Sequence, residues 1–275
     1  MKAEVNAPAV WLNAFPWPGE DTHKHSRGRL GVVSGRAGHT GAARLAARAG
    51  LRVGAGLVKV LCPPDAVAVL GAALEAIMIQ PFEDPEDLRE AAQPLDAVVI
   101  GPAAGLGRAT EENLQALART GAVLVADADA LSLFAGRSED LFAVLDHDDV
   151  LTPHEGEFER LFPGLLLKGR EAAAAEAAQR ADAVVVLKGA RTVIAAPDGR
   201  VRVNPNGSPW LATAGTGDVL AGMIGGLAAQ RMDSFDAASA AVWMHAEAAR
   251  AFGPGLISED LPERLPAVLA ELYED

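Results

Sequence analysis

The chain has 275 residues, half of them hydrophobic, which allows one large α/β domain or two small ones around a sizeable core. Its formal net charge of −13 argues against nucleic acid and anionic membrane surfaces as main partners, yet backbone N–H groups and a few local cations can still hold a phosphate. The one cysteine, Cys62, excludes a disulfide framework or a cysteine-based metal site and fits a reducing cytoplasm.

Residues 1–26, rich in Pro, Trp and His, lack the continuous apolar stretch of a signal peptide. They read as an arm that packs on the body or on a neighbouring subunit. No apolar run further on is long and unbroken enough to span a bilayer. "RLGVVSG" (29–35) predicts a strand ending in glycine, "GAARLAARAGLRVG" (41–54) a helix and "LVKVLC" (57–62) a strand. "DAVAVLGAAL" (65–74) reads as a helix and "AIMIQ" (76–80) as a strand. "DAVVIG" (96–101) is a strand before a Gly-Pro loop, and "TEENLQALART" (110–120) a helix with Thr110 as N-cap. "AVLVADADAL" (122–131) is a strand followed by a loop. The strands "DVLTP" (149–153) and "AVVVLKG" (183–189) bracket "GREAAAAEAAQR" (169–180), whose alanine bias suits an exposed helix. "RTVIAAPDGRVRVN" (191–204) carries a PDG turn between two β runs and reads as a hairpin. Two long helices, at roughly 217–231 and 234–252, and a shorter one near 261–273 complete the chain. Near-continuous Val/Ile/Leu strands between helices predict an α/β fold with a mainly parallel sheet covered on both faces. With no linker or repeat in view, residues 1–275 read as a single domain.

Ligands of open α/β sheets collect beyond the carboxyl ends of the strands. Five loops there carry Gly, Pro or polar groups: Gly35 to Gly41, "GPAAGLG" (101–107), "DAD" (127–129), "TPHEGE" (152–157) and "KGART" (188–192). In "ATAGTGDVLAG" (212–222), Gly215 and Gly217 let the backbone take positive φ and approach a ligand. The amides of 215–218 then converge at a helix start, which suits a phosphate oxyanion. Asp218 either takes a proton from a hydroxyl reacting at phosphorus or only caps the helix. Thr152 as N-cap, Pro153 at N1 and Glu155 at N3 make a capping box. That leaves His154 to face the ligand edge and Glu157 to hold a Mg²⁺ ion through water. Lys188, at the end of a buried strand, needs a partner, either a nucleotide phosphate or a neighbouring carboxylate. Trp210, Trp243 and His245 read as packing residues, and Cys62 as a small buried apolar one.

The loops also match a family in order and spacing. "GRLGVVSGRAGHTGAARLAARAGLRVGAGLVKV", "IGPAAGLG", "VADADAL", "LTPHEGEFERL", "VVLKGARTVIAAPDGRVRVN" and "LATAGTGDVLAGMIGGLAAQ" together resemble the ADP- or ATP-dependent NAD(P)H-hydrate dehydratases, the YjeF C-terminal family. The resemblance runs from about residue 25 to the C-terminus and implies a three-layer α/β/α ribokinase-like fold. It implies removal of water from hydrated NADH or NADPH, with ADP or ATP as co-substrate, Mg²⁺ as cofactor and a phosphorylated ring hydroxyl on the way. Asp218 then matches the catalytic base and substrate contact, and Ala42, His154 and either Gly105 or Gly107 match further substrate contacts. Lys188, Gly189, Ala190, Arg191 and Thr192, with Gly215, Thr216 and Gly217, match nucleotide contacts.

The chain departs from the family pattern at Ala214, where glycine is usual, and in "GPAAGLG", which is longer than the common "GPGLG". Residues 1–26 are too few for the N-terminal epimerase domain of many relatives, so epimerisation would come from another chain or occur spontaneously. Family habit also implies a homotetramer. A ribokinase-like kinase for a vitamin precursor or sugar would share the anion cradle, but His154 in "TPHEGE" favours the dehydratase, since kinases of this fold more often carry Asn there.

Overall fold

A computed structural model describes residues 3–274. Ten strands form one sheet: β1 (Glu4–Val5), β2 (Arg29–Val33), β3 (Leu57–Cys62), β4 (Met78–Pro81), β5 (Ala97–Ile100), β6 (Val123–Ala126), β7 (Val150–Leu151), β8 (Val184–Leu187), β9 (Val193–Ala195) and β10 (Val201–Val203). Their spatial order is β1-β10-β9-β8-β7-β6-β5-β2-β3-β4. Every neighbouring pair is parallel except the two made by β9, which turns back as the first arm of the expected hairpin. Along β5 the side chains alternate: Ala97 and Val99 join one core, Val98 and Ile100 the other. Both faces are therefore dry, as the unbroken apolar strands required.

The helices α1 (Gly41–Arg52), α9 (Thr216–Ala229), α10 (Ser234–Phe252) and α11 (Asp260–Glu274) cover one face, with the short α2 (Val67–Gly71) at their edge. The other face is covered by α3 (Pro85–Ala92), α4 (Arg108–Leu117), α5 (Asp129–Ser132), α6 (Ser138–Phe142), α7 (Glu155–Leu161) and α8 (Arg170–Ala181). The result is the three-layer α/β/α architecture. From β2 the chain winds outward through β3 to β4, then crosses to β5 on the opposite side of β2. That reversal opens a crevice above the carboxyl ends of β2 and β5, the place where such sheets bind ligands.

Four local expectations are corrected. Thr110 is not the N-cap of α4; Gly107 is, and the Thr110 hydroxyl donates back to the carbonyls of Ala104 and Gly105 at 2.9 and 2.7 Å. Helix α8 is not an exposed helix: six of its alanines are buried against the sheet, where a side chain of one methyl permits close approach. The "DAD" stretch is not all loop, since α5 begins at Asp129. The closing helix α11 has 15 residues against 14 in α9, so it is not the shorter one. The arm packs on its own body. Strand β1 pairs with β10, buried Asn6 donates to Asn204 Oδ1 and the Ser239 carbonyl, and Trp11 is sealed beneath it. Cys62 is buried in β3, and burial pushes its thiol up to about 11, with Asp65 adding to the effect.

Helix α9 lies unusually close to its neighbours because it is built on glycine. A Cβ on Gly222 would stand 2.0 Å from the Ala46 carbonyl oxygen of α1, and one on Gly226 2.7 Å from that of Gly50. A Cβ on Gly225 would strike Val99 and Leu30 of the sheet at 2.8 and 2.9 Å. Gly222→Ala should therefore force α9 away from α1 at an overpacking cost of about 2–3 kcal/mol, a fall in Tm of roughly 5–10 °C in calorimetry.

Candidate active site

The first turn of α9 sits over the crevice. Gly215 is its N-cap at φ 89°, a left-handed conformation, and a Cβ there would meet Ser258 Oγ and Leu45 Cδ1 at 2.6 and 2.8 Å. Gly217 and Ala214 do not share that conformation, which corrects the expectation of positive φ at Gly217. Alanine at 214 is thus tolerated because the turn needs only one left-handed residue. The Thr216 hydroxyl donates to the carbonyls of Leu211 and Thr213 at 2.9 and 3.1 Å and ties down the approaching loop. The amides at the helix start have no intrahelical acceptor and carry the positive end of the helix dipole.

Asp218 is the third residue of that helix, and its carboxylate makes no capping hydrogen bond among the described residues. The alternative reading of Asp218 as a cap is therefore removed. Burial pushes its carboxyl up to about 6; the neighbouring Asp127 charge raises it further, and Lys188 opposes both. Lys188 has a carboxylate partner, since its Nζ lies 2.7 Å from Oδ1 of Asp127, itself only 2% exposed. A Cβ on Gly217 would stand 3.4 Å from Lys188 Nζ and 3.6 Å from Asp127 Oδ2, so glycine leaves this ion pair accessible from the helix start.

Asp127 was visible only as part of a loop. Its backbone setting is specific: Ala128 holds φ 50°, a conformation that costs an alanine energy and turns the Asp127 and Asp129 carboxylates to different partners. Asp127 turns to Lys188, while Asp129 Oδ2 accepts the Gly105 N–H at 2.8 Å. This settles the geometry of "GPAAGLG": Gly105 is left-handed and held by Asp129, whereas Gly107 is extended and caps α4. Gly101 is equally constrained, because a Cβ there would lie 1.8 Å from the Asp127 carbonyl oxygen. Ala42 lies in the first turn of α1, after β2, and a Cβ on Gly35 of the same loop would meet the Ala103 oxygen at 2.3 Å. The β2 and β5 loops thus lie side by side.

The expected capping box at Thr152–Glu155 is displaced by two residues. The β7 ladder runs on, with the Thr152 N–H bonded to the Ala126 oxygen and the Lys188 N–H to the Pro153 oxygen, and His154 still bridges to Lys188. His154 is therefore the N-cap of α7: its Nδ1 accepts the N–H groups of Gly156 and Glu157 at 3.0 and 3.2 Å. Glu157 closes the box by accepting the His154 N–H at 2.9 Å. Burial raises the Glu157 carboxyl, with the His154 N–H and the Lys188 charge acting against it. Asp127 acts on it too, so His154, Glu157, Asp127 and Lys188 form one cluster beside the crevice. Their hard carboxylate oxygens are the donor type that a water-bridged Mg²⁺ ion uses.

Next to this cluster opens a cavity of about 500 Å³ between the hairpin strands and α9 and α10. Lys188, Gly189, Ala190, Thr192, Thr216 and Gly217 line it, bringing together most of the segments matched to a nucleotide. Arg191 does not; it pairs with Glu171 at 3.2 Å. Sequence reading missed Arg170. Its guanidinium donates to the carbonyls of Leu187, Lys188 and Arg191 at 3.0–3.1 Å and pairs with Glu155, bracing the whole 188–191 turn. A Cβ on Gly189 would collide with that guanidinium at 2.7 Å. Trp210 is exposed, which corrects its reading as a packing residue; Trp243 packs on Trp11, and His245 is buried as expected and also lines the cavity.

An open helix start, a carboxylate without a capping bond and an adjacent cavity lie together on one edge of a ribokinase-like fold. The fold matches a ribokinase-like superfamily protein of Enterococcus faecalis with a TM-score of 0.87, at 24% identity over 98% of this chain and 96% of that one. The chain belongs to the NAD(P)H-hydrate dehydratase family: the Carb_kinase family model, described by that activity, matches residues 30–265. It is 45% identical over 233 residues to the bifunctional NAD(P)H-hydrate repair enzyme Nnr of Gloeobacter violaceus, covering 82% of this chain and 45% of that protein. The chain thus spans about half the length of such relatives. It is 38% identical over 245 residues to the ADP-dependent (S)-NAD(P)H-hydrate dehydratase of Neisseria meningitidis serogroup B, covering 86% and 81% of the two chains. Among solved structures it resembles the ADP/ATP-dependent NAD(P)H-hydrate dehydratase of Bacillus subtilis, co-crystallised with ATP/Mg²⁺, with a TM-score of 0.84 and 26% identity over 99% of both chains.

Replacing Asp127 by Asn removes the like charge beside Asp218 and frees Lys188 toward it; both changes favour the ionised form. The Asp218 carboxyl should titrate below its value of about 6, as read by carboxyl-carbon NMR. An unchanged midpoint would mean that burial alone sets it.

Proposed function

We propose that this chain dehydrates the hydrated nicotinamide cofactors (S)-NADHX and (S)-NADPHX to NADH and NADPH, using ADP and releasing AMP and phosphate. The observation that carries the reading is Asp218: a carboxylate at the cradle that caps nothing, with its proton affinity raised to about 6. The substrate's ring hydroxyl approaches Asp218, which takes the hydroxyl proton as the oxygen attacks the β-phosphorus of ADP. The bond from that phosphorus to the bridging oxygen breaks and AMP leaves. The amides at the α9 start hold the charge that builds on the transferring group. The ring nitrogen then expels phosphate, and loss of a ring proton restores the dihydronicotinamide.

Ala42, Gly105 or Gly107, and His154 are the candidate substrate contacts; of the two glycines, Gly105 is favoured by its Asp129 tether at the crevice. Lys188 to Thr192 and Gly215 to Gly217 hold the nucleotide in this reading, Arg191 through its backbone, because its side chain is turned to Glu171. A Mg²⁺ ion bound with the nucleotide would neutralise phosphate charge, with Glu157 and Asp127 as water-bridged ligands. No described helix is long and apolar enough to cross a membrane. The reading also includes a homotetramer.

Incubation with hydrated NADH, ADP and Mg²⁺ should restore absorbance at the reduced-nicotinamide band. A stable phosphorylated product in its place would identify a kinase, and no ADP-dependent recovery with either hydrated cofactor would refute the dehydratase reading. Asp218 works as a base only when ionised, so kcat/KM should fall as pH drops through about 6. Asp218→Asn should cut turnover by roughly 10²–10⁴-fold while ADP binding by calorimetry persists.

A further inference from the structure

The chain leaves β8, turns through Lys188 to Thr192 and re-enters the sheet as β9, and three carbonyls of this segment face one side chain. Arg170, the first residue of α8, donates from Nη2 to the Leu187 and Lys188 oxygens at 3.0 and 3.1 Å and from Nε to the Arg191 oxygen at 3.1 Å. Its Nη1 pairs with Glu155, the first residue of α7. The guanidinium is therefore held from both sides of the turn and from a second helix. Gly189 sits against it. Its φ is not left-handed, so its backbone conformation does not itself call for glycine. What excludes a side chain is Arg170: a Cβ on Gly189 would lie 2.7 Å from Nη2, 3.2 Å from Cζ and 3.3 Å from Nη1.

The peptide plane converts this grip into a direction. In a trans peptide the C=O and the following N–H point opposite ways. With the Lys188 and Arg191 oxygens drawn to Arg170, the N–H groups of Gly189 and Thr192 turn away from it. Neither has an acceptor among the described residues, whereas the N–H of Lys188 is taken by the Pro153 oxygen at 2.9 Å. Gly189 and Thr192 line the cavity and Arg170 does not, so the guanidinium stands behind the turn and the free donors face the other way. The Thr192 hydroxyl donates to the Gly189 carbonyl at 3.2 Å and closes the turn on itself.

We propose that Arg170 is a positioning residue for the nucleotide: by holding three carbonyls behind the turn, it presents the Gly189 and Thr192 amides to the cavity as preformed donors. This rests on the nucleotide assignment made above. Arg170 touches no ligand in this arrangement and acts only through the turn. Donors fixed before binding lose little freedom when they take an acceptor, and amides gathered in a turn suit the oxygens of an anionic ligand. The planar fork is what the task requires, since a lysine ammonium could not span carbonyls on both sides of the turn.

The test is calorimetry with ADP, joined to steady-state kinetics in both co-substrates. Arg170→Ala should bind ADP about tenfold or more weakly than wild type, the worth of one or two hydrogen bonds. The loss should fall on KM for ADP and leave KM for the hydrated cofactor unchanged. Arg170→Lys keeps the charge without the fork and should recover only part of the affinity. Gly189→Ala should weaken ADP binding as Arg170→Ala does, because its methyl displaces the guanidinium. The variant carrying both changes should be no worse than either alone, since the methyl then has nothing to strike. Equal losses for ADP and the hydrated cofactor would make Arg170 a general structural residue and overturn the proposal. So would unchanged ADP affinity, full recovery by lysine, or additive losses in the double variant. If Arg170→Ala does not fold, Gly189→Ala decides, because it leaves every charge in place: wild-type ADP affinity in that variant overturns the proposal. A wild-type protein that binds no ADP would instead overturn the nucleotide assignment itself.

Discussion

The site depends on how closely α9 can approach α1 and the sheet. Gly222 and Gly226 bring its backbone against the carbonyls of Ala46 and Gly50, and Gly225 lets it settle on Leu30 and Val99. A helix held on two sides cannot slide or roll, so its first turn is fixed in space by packing far from the ligand. Gly215 completes the constraint, since its left-handed turn sits where any side chain would strike Ser258 and Leu45. The free amides of the first turn are then aimed by rigid elements, the condition under which a cradle for charge requires no reorganisation when charge develops.

Electrostatics follow from that placement. Asp218, Asp127 and Lys188 share a partly buried space, and Glu157 borders it. Two carboxylates near one ammonium cannot both ionise at the ordinary cost. The ion pair takes Asp127, with its Oδ1 2.7 Å from Lys188 Nζ, and Asp218 is left with raised proton affinity. A carboxylate adjusted in this way is a stronger base than a solvated one and remains ionised at neutral pH. Helix α7 contributes by a different route. Its capping box commits His154 Nδ1 and Glu157 Oε2 to the backbone and fixes both side chains at the rim of the crevice.

The strands and major helices were legible because buried parallel strands must be apolar on both faces, which leaves unbroken Val/Ile/Leu runs such as "VVVL" in β8. Caps were less legible. Thr152 has the right chemistry for one, but its N–H is already bonded to Ala126 in the ladder, so the helix starts later, at His154. Alanine marks a helix without saying which way it faces, and α8 proved buried. Asp218, Lys188 and His154 were found because each ends a strand or begins a helix. Asp127 and Arg170 were not singled out, because each matters only through a partner 61 or 18 positions away: Lys188 and the Lys188 carbonyl.

By itself the sequence determined the layered α/β architecture, the edge of the sheet that carries the candidate site, the order of its loops and the family to which they belong. Those properties follow from periodicity and from residue types at strand ends, which are local. Tertiary structure alone decided the surroundings of Asp218, because the absence of a capping bond and the presence of Asp127 and Lys188 beside it exist only after folding. It also decided that one left-handed glycine suffices at the cradle, that Gly105 is the tethered glycine of its loop, and that a buried imidazole faces the cavity. Each of these is a relation between distant segments, fixed by packing and exclusion of water, and no window of sequence contains both partners.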